Sequence, residues 1–431
     1  MERIICEGLE FYRDMRKHSP TFRISLHMRD AVDGSILQRA ADASLQRYPY
    51  YAVRCRAQDG AYFLEPCDAP FAVRRTQEPV PLGGAQAGGY LLAVSYRADT
   101  IALDVFHGLT DGQGALEFMR TLLYSYCRER YDRTLPSDGI RTSETVTPEL
   151  LAREWDNPYE RLMSGELVMP SAEEILIKAK WAPEKPALCL LEDPRITRSE
   201  PVCYTLRIPE QALMRYCRAQ DGTPGVILSL LMSRAIDSLH PGNDRPIVAG
   251  MAMNLRPALD APLYKGSPLS LALLPYTERI RSKPFDQQAT LYRGRLILAA
   301  DKERLQAGIG ASLPLYHMLE RIPTLEGKRQ LVAQVLERYA GAATFQFSYP
   351  GPSRLGAAEP FVRSASLAND TVGNTLLLEL MATGGDFCLT FAQEWRESLY
   401  FDALCRELSA QDIPFELLGQ GPLRLCGACL P

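Results

Sequence analysis

The sequence predicts an α/β chain of the α+β type, with mixed sheets, folded as two lobes. Three observations carry this. The chain has 431 residues, more than the roughly 250–300 at which one hydrophobic core stops growing. Both halves contain apolar runs of period two and apolar runs of helical spacing. The order of these runs is not the strict strand–helix alternation of a doubly wound parallel sheet. We place the division near residue 180, with a lobe over 1–180 and a second over 181–431.

In the first half, Phe22, Ile24, Leu26 and Met28 alternate as a strand does. After Asp33-Gly34, the residues Ile36, Leu37, Ala40, Ala41 and Leu45 recur at helical spacing. Tyr48-Pro49 ends that helix, because a proline drives the residue before it out of helical geometry. Tyr51–Arg56 and Tyr62–Glu65 flank Asp59-Gly60, a hairpin turn signal. Tyr90–Tyr96 and Thr100–Phe106 form a second hairpin around Arg97-Ala98-Asp99. Gln113–Tyr131 then reads as a helix whose apolar face carries Ala115, Met119, Leu122, Leu123 and Tyr126.

From about 133 to 200, prolines and charges are frequent and periodicity is weak. This reads as a crossover with short helices. Beyond it, Pro201–Ile208 alternates as a strand, and Pro209-Glu210 opens a helix. Val226–Leu239 is a largely apolar helix and Pro246–Met253 an apolar strand. Gln288–Ala299 and Lys328–Tyr339 read as helices, and Thr344–Ser348, Thr375–Met381 and Phe387–Ala392 as strands.

Composition narrows the function. The apolar fraction of 46% and charged fraction of 23% are those of a globular chain. A net charge of −4, with no basic stripe, argues against nucleic acid as a partner. The N-terminus lacks the apolar core of a secretory signal, and runs such as Ile227–Met232 are too short to span a bilayer. A cytoplasmic location is expected, with the 11 cysteines reduced. Cys426 and Cys429 make a lone C-x-x-C pair, expected to lie in a frayed tail rather than in a redox or metal site. His18, His27, His240 and His317 are isolated, so no metal is expected. Nucleophile-elbow, Walker and dinucleotide-binding sequences are absent.

The sharpest motif is Phe106-His107-Gly108-Leu109-Thr110-Asp111-Gly112, between a strand and a helix. His107 shares the parity of Ile101, Leu103 and Val105, which turns it toward the apolar side of its strand. Glycines flanking the loop let the backbone turn tightly. An imidazole titrates near ~6.5 when unperturbed, so an inward one suits general-base work. Other readings stand beside this one. Thr110 with Gln113 fits a capping box, Asp111 suits a helix N-terminus, and His107 could be a hydrogen-bonded core residue.

His107-x-x-x-Asp111-Gly112 in this setting resembles the signature of the chloramphenicol acetyltransferase-like and condensation-domain superfamily. The opening stretch through Arg47-Tyr48-Pro49, the segment Gly250–Pro257 with Asn254 and Arg256, and Phe347-Ser348-Tyr349-Pro350-Gly351 resemble further family segments, in the family's order. The closest flavour is that of bacterial alcohol acetyltransferase-like proteins. The resemblance implies two chloramphenicol acetyltransferase-like lobes with a tunnel between them. It implies an acyltransferase that uses acyl-CoA as co-substrate, binds no permanent cofactor or metal, and acylates an alcohol or amine. His107 would be the base, with Asp111, Gly112 and Arg256 structural at the site and Asp111 paired to Arg256. Ser348, Tyr349 and Asn254 are candidates for oxyanion or substrate contacts.

Phe106 stands where many relatives carry a first histidine. Two rival readings therefore remain: an enzyme taking its acyl group from an acyl carrier protein, and a non-catalytic binding protein of the same fold. Two lobes in one chain would build the site alone, so a monomer is expected.

Overall fold

The computed structural model describes residues 2–4, 6–15, 20–170, 185–371 and 376–431. The predicted elements are present, and their local causes are visible. Strand β1 (Glu2–Arg3) is followed by β2 (Thr21–Met28) and helix α1 (Gly34–Arg47). The Asp33 carboxylate caps α1, accepting from the Ser35 and Ile36 amides at 2.9 and 3.1 Å. Strands β3 (Val53–Gln58) and β4 (Ala61–Pro66) meet at Asp59-Gly60, both left-handed at φ 48° and 71°, the two-residue hairpin turn that the sequence implies. Strands β5 (Leu92–Arg97) and β6 (Thr100–Phe106) form the next hairpin, and helix α2 (Gly112–Arg130) follows. The crossover contains α3 (Pro148–Trp155) and α4 (Pro158–Ser164).

The second half runs β7 (Arg198–Pro209), α5 (Glu210–Ala219), α6 (Pro224–Leu239), β8 (Ile247–Asn254), β9 (Leu269–Tyr276) and α7 (Glu278–Arg281). It continues with α8 (Phe285–Ala299), α9 (Lys302–Arg321), α10 (Leu325–Ala340), β10 (Phe345–Ser348), β11 (Val362–Asn369) and β12 (Leu376–Thr383). It ends in β13 (Asp386–Trp395), α11 (Leu399–Ala410) and β14 (Glu416–Pro422). Of the sequence assignments, Thr375 and His18 lie outside the described residues.

Among the described residues these strands make three sheets. The first lobe holds an antiparallel sheet of order β11-β2-β6-β5, beside a small β1-β4-β3 sheet. The second holds seven strands, β14-β7-β13-β12-β10-β8-β9. It is mixed: β10 runs parallel to β8 and β12, and the other pairs are antiparallel. Each large sheet has its own apolar core. Strand β11 lies late in the chain yet pairs with β2 of the first sheet, Leu367 opposite Ile24. Leu355, Val362 and Ala365 are buried in the first core with it. The chain thus crosses back from the second lobe to complete the first.

The C-terminal tail departs from expectation. It is docked, not frayed. Thr21 Oγ1 donates to the Cys426 carbonyl at 2.7 Å, and Leu82 exchanges backbone hydrogen bonds with Gly427 and Cys429. Cys426 is buried and Cys429 exposed, and both are free thiols. Backbone pairing with the buried Leu82 holds this segment, a long-range cause that local sequence does not show.

Candidate functional site

His107 leaves the end of β6 with its amide bonded to the Pro20 carbonyl at 2.7 Å. Its ring stands edge-on to Phe22, centroids 5.1 Å apart. Phe106, one residue earlier, points the other way and packs against Phe11 in the first core at 4.7 Å. Glycine is required at 108, just after His107, because a Cβ there would come within 2.5 Å of the Phe106 ring and 2.6 Å of Phe11.

His107 Nδ1 lies 3.2 Å from Ser267 Oγ, a residue of the second half just before β9. The sequence reading missed Ser267. Its signal was weak, since a serine in a Gly-Ser-Pro loop reads as a turn.

Asp111, at 1% exposure, does two jobs. Its Oδ1 caps α2, accepting from the Gln113 and Gly114 amides at 3.1 and 3.0 Å. Both its oxygens also accept from the Arg256 fork, at 2.6 and 3.0 Å. The remaining donor of Arg256, Nε, reaches the Tyr264 carbonyl at 2.8 Å, and Nη2 also reaches Gly266 O at 2.6 Å. Burial alone would lower the guanidinium pKa; the Asp111 carboxylate reverses this and leaves it raised. Asn254 braces the same corner, accepting from the Arg256 amide at 3.0 Å and donating to Gln113 Oε1 at 3.1 Å.

Thr110 is not the cap that a Thr-x-x-Gln pattern suggests. Its hydroxyl donates to the Lys265 carbonyl at 2.7 Å and accepts from Tyr51 at 3.0 Å. The 264–267 loop is therefore gripped residue by residue. Lys265 N donates to the Glu154 carbonyl at 2.9 Å, and Lys265 Nζ pairs with Glu2 at 2.6 Å. Glu154 is itself held by Arg47 at 2.7 and 2.9 Å, with neither side chain exposed. This chain of bonds sets Ser267 against His107.

His107 lines a cavity of about 1580 Å³ between the two lobes. The second sheet supplies much of the wall, through Ala252, Gln346, Ser348 and Glu379. Leu269, Leu271 and Leu273 line it from one face of β9 while 39%, 46% and 41% exposed, an apolar wall open to a ligand. The docked tail contributes Ala428, Cys429 and Leu430. Of the sequence candidates, Ser348 lines the cavity. Tyr349 turns away, its ring 6.2 Å from Phe387 against the second core. Gly112 begins α2, where an added Cβ would meet only Pro350, at 3.6 Å.

Glu379 went unnoticed in the sequence because it sits in the apolar run Leu376–Thr383. It is 1% exposed. Burial pushes its carboxyl up to about 7, against the opposing pull of Ser348 and Asn369 beside it. The other histidines lie apart: His27 is 3.1 Å from Thr100 Oγ1, His240 is 2.8 Å from the Tyr400 hydroxyl, and His317 lines a small pocket on α9. Among the described residues no group of His, Cys, Asp or Glu could hold a metal, and no helix is long and apolar enough to cross a membrane.

No protein-family model matches the chain, and no curated protein matches it by sequence. Solved structures do match. Polyketide synthase associated protein 5 from Mycobacterium tuberculosis superposes with TM-score 0.61 at 15% identity, over 94% of this chain and 96% of its own. TRI101 from F. graminearum, complexed with coenzyme A and deoxynivalenol, gives 0.62 at 13%, over 97% and 100%. The condensation domain of the Monacolin K polyketide synthase MokA gives 0.59 at 16%, over 95% and 96%. The chain has the fold these proteins share, the two-lobed chloramphenicol acetyltransferase-like and condensation-domain fold.

Proposed function

We propose that this protein is an acyltransferase that moves an acyl group from an acyl-CoA thioester to an alcohol or amine, with His107 as general base. The observation that carries the reading is the His107 ring on the wall of the inter-lobe cavity, with Nδ1 at Ser267. That leaves Nε2 for the acceptor. In the reaction, Nε2 takes the proton of the acceptor O–H or N–H as its heavy atom attacks the thioester carbonyl. The tetrahedral intermediate collapses with loss of coenzyme A thiolate, which takes the proton back from the imidazolium. The Ser348 hydroxyl is our candidate for the oxyanion donor, because it lines the same cavity. Asp111 and Arg256 act on the loop and not on substrate. The fold shared with a protein solved in complex with coenzyme A supports the choice of donor.

Thiol release from acetyl- and longer acyl-CoA, over a panel of alcohols and amines, tests this. His107→Ala is expected to lower the rate by about 10²–10⁴-fold, the usual worth of a general base. Equal release by the wild type and the variant rejects the assignment.

A carrier-protein donor is the second reading, favoured by the condensation domains among the matching structures. Transfer from an acylated carrier protein, with none from free acyl-CoA, would select it.

A further inference from the structure

Glu379 has no evident structural reason to be ionisable. It occupies a central strand of the second sheet whose neighbours are Leu378 and Leu380, and a buried carboxyl without a cation is costly. Among the described residues no salt bridge reaches it; Ser348 and Asn369 are its polar neighbours, and its Oε2, enclosed in the wall, has no hydrogen-bond partner. Unsatisfied buried polar atoms are rare enough to need a cause. The register supplies more. Glu379 lies directly opposite Ser348 on β10 and Thr390 on β13, which puts the three side chains on one face. The Thr390 hydroxyl is buried and also unpartnered. Ser348 and Glu379 both line the cavity that holds His107.

We infer that Glu379 is a specificity-determining residue, whose free carboxyl oxygen binds a hydroxyl or amino group on the molecule filling the cavity, away from its reacting group. Either group suits the pocket. A hydroxyl both donates and accepts, so it pairs with the acid in either protonation state; an ammonium pairs with the carboxylate. A carboxylate ligand would be repelled. The apolar β9 wall would take the carbon skeleton between the two polar ends. The substrate class is therefore an apolar-bodied alcohol or amine with a second hydroxyl or amino group. The inference rests on the proposed acyl transfer only in treating the cavity as the acceptor's site.

Equilibrium binding tests it without chemistry. The probes are linear diols and amino alcohols of graded length, each compared by calorimetry with the plain alcohol of the same length. Wild type is expected to bind at least one bifunctional probe about tenfold more tightly than its plain counterpart, since a site built to bond a polar group discriminates against its absence. Glu379→Leu is expected to lose that preference. Glu379→Gln, which keeps shape and hydrogen bonding, is expected to retain a diol preference and lose an amino-alcohol one, so the pair also identifies the group. No preference in wild type at any length, or a preference unchanged in both variants, overturns the inference. Thiol release measured in parallel separates the two readings: release that depends on His107 without the binding preference removes Glu379's role alone, and the preference without release removes the acyl-transfer reading.

Discussion

Arg256 Nη1 and Nη2 hold both carboxylate oxygens of Asp111 at 2.6 and 3.0 Å, joining residues 145 positions apart. Both side chains are nearly inaccessible, at 6% and 2%. Removing one partner strands the other charge in the interior, so Arg256→Ala and Asp111→Ala are each expected to cost roughly 3–5 kcal/mol. Arg256→Lys should recover only part of this, because an ammonium cannot reproduce the fork. Urea unfolding of the three variants and the double variant checks it; the double variant should cost less than the sum of the singles.

Ser267→Ala is expected to slow thiol release about fivefold, from the roughly 1 kcal/mol worth of one hydrogen bond. The loss should appear in kcat and not in KM, because Ser267 orients the base. Stability should change little, since the residue is half-buried. Full activity in the alanine variant would show that the 3.2 Å contact does not position the imidazole.

Two glycines of the same helix start should behave oppositely. A Cβ on Gly114 would stand 2.0 Å from Thr110 Oγ1 and 2.7 Å from the Tyr51 hydroxyl. Gly114→Ala is expected to destabilise by roughly 1–3 kcal/mol, as overpacking does. Gly112→Ala meets only an ordinary contact with Pro350 and should stay within about 1 kcal/mol of wild type. Thermal melts of the two variants decide this.

Glu379 should make stability depend on pH. Its carboxyl is raised from 4.5 to about 7 by burial. The folded protein therefore keeps this proton where the unfolded chain has lost it. The contribution is full below the unfolded value and is lost as pH rises through the folded one, on the order of 3 kcal/mol in total. Glu379→Gln has nothing to titrate. Relative to wild type it should gain stability on going from about pH 5 to about pH 8. Parallel pH profiles for the two proteins would contradict this.

The two tail thiols should differ in reactivity. Cys429 is exposed, whereas burial pushes the Cys426 thiol up and shields it. Alkylation of the native protein followed by peptide mapping should label Cys429 and leave Cys426 unmodified until the chain unfolds.

Much of this site was legible in the sequence. The strand, turn and helix around His107 follow from a period-two run, a glycine at 108 and an acidic cap at 111, all local causes. The hairpin at Asp59-Gly60 was legible for the same reason. Helix α9 and strand β9 were not. Pro314 and two glycines interrupt the first, and β9 carries leucines on its cavity face, so its alternation is hidden.

By itself, then, the sequence determined most elements of the first half and several of the second, and a histidine delivered from the end of a strand ahead of a capped helix. Only the tertiary structure decided that β11 returns to pair with β2, that the 264–267 loop brings Ser267 to His107, that the tail docks beside Leu82, and that Glu379 joins the cavity wall with one buried, unpartnered oxygen. The reason is one of range. Periodicity and capping act over a few residues and are written in neighbouring positions. A pairing such as Asn369 with Phe22 is chosen by the burial of two whole surfaces at once, which no single segment records.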